Sequence, residues 1–132
     1  MDAGYSGTPQ LRKLGLVPGA RWSVVGASAG WAFEIAPDAA SETAPDAPAD
    51  VVLAFVREAA ELAPTITAQK RRIAPAGALW IAWPRKAGGH VSDVGDGVVR
   101  STALELGLVD VKVAALDADW SALKLVYRLR DR

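Results

Sequence analysis

The sequence contains no cysteine. Disulfides, thiolate metal sites and cysteine nucleophiles are therefore excluded. A single histidine, His90, excludes a multi-histidine metal centre. Neither sign of charge is in excess, since fifteen Lys and Arg stand against fifteen Asp and Glu. That balance argues against nucleic acid as a partner, because phosphate backbones select basic surfaces. No apolar run reaches the ~20 residues of a membrane span, so no membrane partner is expected. The stretch Met1-Asp2-Ala3-Gly4-Tyr5 lacks the basic and apolar regions of a secretory signal. A soluble cytoplasmic protein is the expectation.

What is present is apolar. Hydrophobic residues make up 51% of the 132 positions, enough for the core of one domain spanning 1–132. An N-terminal helix and turn fill residues 1–20. Thr8 is placed to cap a short amphipathic helix over 8–14, Pro9 suits its first position and Gly15 its stop. Residues 21–26 form a β-branched strand. Residues 30–35 fit a short helix or a short strand. Residues 36–50 carry four acids, three prolines and no base, the composition of a solvated loop and a candidate for local disorder.

Two runs, 51–56 and 78–83, are apolar at every position. A strand covered on both faces needs that pattern, and parallel sheets provide it. Between them a helical period runs over 58–73, kinked or restarted at Pro64, with Lys70-Arg71-Arg72 as a solvated basic end. A further helix runs from a cap at Asp93 to Leu106 and stops at Gly107. Two alternating strands, 109–116 and 122–130, close the chain as a hairpin through 117–121. Alternating strands and helices predict an α/β fold: three-layer, Rossmann-like, with a mostly parallel five-stranded sheet and a final antiparallel strand from the C-terminal hairpin.

This ending resembles the class I S-adenosylmethionine-dependent methyltransferase fold, in which a final antiparallel strand inserts beside the strand that follows the last helix. Residues 18–26, Pro-Gly-Ala-Arg-Trp-Ser-Val-Val-Gly, resemble that family's first strand and the start of its glycine loop. Two of its strand–helix units have no counterpart after residue 26. The chain also resembles a small bacterial family, the domain-of-unknown-function family 3052. That likeness rests on Gly4-Tyr5-Ser6-Gly7-Thr8-Pro9, Leu14-Gly15-Leu16-Val17-Pro18-Gly19, Leu79-Trp80-Ile81-Ala82-Trp83-Pro84-Arg85-Lys86 and Trp120-Ser121-Ala122-Leu123-Lys124-Leu125-Val126. It implies no activity and carries over no catalytic residue.

Two loops are candidate sites. The first is Gly26-Ala27-Ser28-Ala29-Gly30. As a cofactor loop, Gly26, Ser28 and Gly30 would let backbone amides approach a phosphate or the carboxylate of S-adenosylmethionine. The methyltransferase loop has glycine where Ser28 stands, and the acid that would hold a ribose is missing. A tight turn leaving the strand is the simpler account. The same residues match the nucleophile elbow of α/β-hydrolases, with Ser28 as nucleophile, His90 as base and Asp50 as orienting acid. Pro37, however, leaves no room for the long helix an elbow needs.

The second loop, Arg85-Lys86-Ala87-Gly88-Gly89-His90, leaves the C-terminal end of the 78–83 strand, the edge where parallel sheets bind ligands. Arg85, Lys86, Gly88, Gly89 and His90 are candidates for holding a small anion; a solvated basic turn is the alternative. Trp22, Trp80 and Trp83 read as core. Trp31 and Trp120 read as connection residues that line a surface or cap the core with the indole N–H in water. Asp93, Asp96, Asp117 and Asp119 lack any calcium-loop spacing. No metal and no catalytic residue is assigned. The functional expectation is a non-enzymatic module for a small anion or a protein partner. The rival is a methyltransferase-like enzyme using S-adenosylmethionine or a nucleotide. Monomer and homodimer both stay open, with an edge strand available for pairing.

Overall fold

The computed structural model describes residues 9–73 and 75–132. Thr8 and Gly4–Thr8 of the family-like stretch lie outside the described residues. The elements in chain order are α1 (Gln10–Leu14), β1 (Trp22–Val25), β2 (Val51–Phe55), α2 (Leu62–Lys70), β3 (Ala78–Pro84), α3 (Asp96–Glu105), β4 (Leu108–Ala115) and β5 (Trp120–Tyr127).

The two uniformly apolar runs became β2 and β3. They pair in parallel, with Val51 beside Ala78 and Phe55 beside Ala82. All five residues of β2 are buried, and so are the first six of β3. Alternation sorts their side chains. Val52, Ala54, Leu79, Ile81 and Trp83 face α2 and α3, where Leu62, Ile66, Val99 and Ala103 meet them. Val51, Leu53, Phe55, Trp80 and Ala82 face the other side.

The expected three-layer, mostly parallel sheet is not what forms. The order is β1-β2-β3-β5-β4. Only β1–β2 and β2–β3 are parallel; β5 lies between β3 and β4 and is antiparallel to both. The last strand therefore occupies an interior place, and the sheet is mixed. The second layer of helix is missing too. The long crossover between β1 and β2 forms only a 3-10 turn, Ala39–Ser41. Pro37, Pro45 and Pro48 deny it a helix. In its place Trp31 and Phe33 pack beside five-residue α1 against the far face.

Other boundaries moved for local reasons. Residues 30–35 are neither helix nor strand. Pro64 falls in the first turn of α2, where its missing N–H has no helical partner to lose. The restart is fixed by Glu61, whose Oε1 accepts from the backbone N–H of Arg57 and of Glu58. Asp93 caps no helix. It accepts instead from the N–H of Ala59, and the residue before α3 is Gly95.

The acidic stretch 36–50 is held in place. Thr43 N–H donates to the carbonyl of Trp22, and Glu42 bridges to the same residue. Arg72, expected on a solvated helix end, is only 5% exposed. It donates to the carbonyls of Ala44 and Ala47 at 2.8 Å and to Thr43 Oγ1 at 3.3 Å. Burial pushes its guanidinium below the ordinary arginine value, with Asp46 opposing. Lys70 is engaged as well, through the carbonyl of Leu106. Of that triplet Arg71 is exposed, Lys70 half-buried and Arg72 buried. No helix among the described residues is long and apolar enough to cross a membrane.

Candidate functional site

The C-terminal ends of β1, β2 and β3 share one edge of the sheet. The hairpin turn between β4 and β5 reaches the same edge, because β5 starts where β3 ends, with Pro84 beside Trp120. Both candidate loops lie here.

The loop after β1 is shaped by close approach. Gly26 has φ +74°, and a Cβ there would stand 2.9 Å from the carbonyl oxygen of Phe55. Glycine is required for packing against β2, with no ligand invoked. Gly30 has open space around it and no such requirement. The loop's polar atoms are taken by Arg57, a residue missed at the sequence level. Its Nη1 donates to the carbonyl of Gly26 at 3.0 Å and its Nη2 to Ser28 Oγ at 2.7 Å. The guanidinium also sits 5.4 Å from the centre of the Trp120 ring. The available signal was an arginine two residues beyond a strand on the ligand-binding edge.

A hydrolase triad does not assemble. Ser28 is bound to Arg57. His90 Nε2 lies 3.0 Å from Asp119 Oδ1. Asp50 is at the opposite edge, just before β2, where it accepts from the backbone and guanidinium of Arg21. That pairing holds the Asp50 carboxyl below its usual range.

The loop after β3 divides in two. Gly88 is pressed against the hairpin turn, where a Cβ would stand 2.5 Å from the carbonyl oxygen of Ala118. His90 leans the same way to Asp119, and Gly89 closes the short 3-10 turn Lys86–Gly88. Gly88 and His90 therefore dock one loop on the other, and so does Arg85, whose backbone N–H donates to the carbonyl of Asp119 at 2.8 Å and whose Nη1 donates to the carbonyl of Asp117 at 3.5 Å. With Lys86, Arg85 also lines a cleft of about 360 Å³ between β3 and the start of α3. Gly95 and Asp96 line it as well, and Trp83, Val94 and Val113 give it apolar walls.

Among the described residues no side chain caps α3. Its leading N–H groups thus have no described side-chain acceptor at the cleft. The acid that lines the wall among the described residues, Asp96, is paired one turn along with Arg100 at 3.4 Å. Arg100 also holds Asp110 at 3.0 Å, which keeps the Asp110 carboxyl below its usual range.

The remaining carboxylates are used structurally. Asp117 accepts from Trp31 Nε1 at 2.9 Å through one oxygen, and from the backbone N–H of Asp119 and Trp120 through the other. The Trp31 indole N–H is thus bonded to protein and not to water. Trp22, Trp80 and Trp83 are buried as expected. Trp120 opens β5 and does not lie in a connection. Trp31 and Phe33, Trp31 and Phe55, and Phe55 and Trp120 meet edge to face, with centroids 4.8–4.9 Å apart.

No known family model matches this sequence, and no curated protein matches it.

Proposed function

We propose that the protein is a small-anion-binding module and not an enzyme, with a phosphate, sulfate or carboxylate group seated in the cleft between Lys86 and the start of α3. The observation that carries this reading is a convergence. Lys86 and an uncapped helix N-terminus line one cleft, with Arg85 beside them, and among the described residues the acid in its wall, Asp96, is already paired. A helix N-terminus carries a partial positive charge, and Lys adds a point charge that suits an oxyanion. The enzymatic readings lack comparable support. Ser28, His90 and Asp50 each serve a different partner, and Arg57 fills the position above Gly26 that a cofactor would need.

Differential scanning fluorimetry of the full chain tests this. Phosphate and sulfate should raise the melting temperature saturably, beyond the effect of matched chloride. Lys86→Glu should weaken that response about tenfold, the scale of one lost charge-assisted contact. An unchanged response in Lys86→Glu would remove the cleft from consideration.

A further inference from the structure

We propose that the sheet face opposite α2 and α3 carries a second site, for a single-chain amphiphilic anion with a carboxylate or phosphate head and an apolar tail. A groove of about 560 Å³ runs along this face between α1 and β4, past the first residues of β2 and β3. That volume lies within the ~300–1,000 Å³ range of small-molecule sites. Its lining is largely apolar, with Leu14, Val17, Val51, Ala78, Val111 and Val126. The groove exists because α1 is five residues long and covers only part of the face. Val111 is left 53% exposed as a result.

Charge supplies the second observation. Lys124 and Arg132 line the groove, and Lys112 is paired directly across the β4–β5 ladder from Lys124. Like charges in directly opposed positions destabilise a sheet. Among the described residues no carboxylate reaches ion-pair distance of any of the three. Asp50, the acid in the groove wall, is held by Arg21 at 3.1 Å. Lys112 Nζ has the Trp80 ring at 5.8 Å, and Arg132 Nε donates to the carbonyl of Tyr127. Burial, then Lys112 and Arg132, push the Lys124 ammonium below its ordinary value.

Three cations that no described carboxylate pairs, at the side of an apolar groove, are completed by an anionic head with an apolar tail. A bare inorganic anion leaves the apolar walls wet. A neutral hydrocarbon leaves the cations unpaired.

Isothermal titration calorimetry on the full chain, with decanoate below its micellar concentration, tests the site. Decanoate should bind saturably, and acetate and 1-decanol at least about tenfold more weakly. Lys124→Met keeps the apolar stem and removes the charge. It should weaken decanoate about tenfold or more while raising the melting temperature of the unliganded protein. Val111→Glu, at a half-exposed position, supplies the lysines with an internal acid and should weaken decanoate as well. The proposal is overturned if decanoate does not saturate, if 1-decanol binds as tightly, or if a folded Lys124→Met binds decanoate like the parent. Should Lys124→Met not fold, Val111→Glu decides alone, and parental affinity in it overturns the site.

Discussion

The two faces of the sheet are built from the same strands and solved in opposite ways. On one face two helices of nine and ten residues press aliphatic side chains onto Leu79, Ile81 and Leu125. All three of those residues have 0% exposure. On the other face the cover, among the described residues, is a five-residue helix and an irregular aromatic segment. There the packing depends on rings set edge to face, on side chains tied to carbonyls, and on glycine where two backbones touch. The helical face is a conventional core. The other face is held by specific contacts, and it leaves a groove.

The sharpest way to break this contrast is to cut into the helical face. Ile81→Ala removes a fully buried side chain between helices that have little freedom to collapse, and should cost about 2–5 kcal/mol in urea denaturation. If the cost is well under that range, the helical face is looser than its burial implies. Next in size is the loop on the opposite side. Gly26→Ala forces a Cβ against the Phe55 carbonyl at positive φ, and should cost about 1–3 kcal/mol. A neutral result would show that β1 can shift away from β2 without penalty.

The smallest effect joins the hairpin to the helical layer. The Tyr127 hydroxyl donates to the carbonyl of Lys70 at 2.8 Å, so Tyr127→Phe should cost about 1 kcal/mol at neutral pH. Burial raises the Tyr127 phenol above its ordinary value. A raised folded value means that the contribution is complete below the normal tyrosine range and is lost as pH rises through it. The parent should therefore lose stability as pH rises above the normal tyrosine range, and Tyr127→Phe should lose less. Equal alkaline losses would contradict the link.

Much of this architecture could be read in advance. The unbroken apolar runs at 51–56 and 78–83 announced two parallel, doubly covered strands, since half-buried strands alternate. Proline and glycine marked the turns. Strand order was not legible, because a hairpin is equally consistent with β5 at the edge and β5 inside. That residues 30–35 would form neither helix nor strand was hidden too, since the packing of Trp31 and Phe33 is a long-range event.

Sites fared worse for a similar reason. Arg57, Arg72 and Asp119 acquire their roles from partners 25 to 31 positions away. The opposed lysines were one residue out of reach. Lys112 and Lys124 are equidistant from Ala118, the centre of the turn that forms, whereas a turn read over 117–121 is centred one residue later and sets neither lysine against the other.

The interior position of β5 has a consequence for how the chain reaches its native state. Translation delivers this strand after the other four, yet it sits between two of them. Until it arrives β4 has no neighbour to bond, and β3 presents an open, greasy flank. Sheet completion therefore waits on the closing residues, and a nascent or shortened chain lacking them exposes a sticky seam of the kind chaperones recognise.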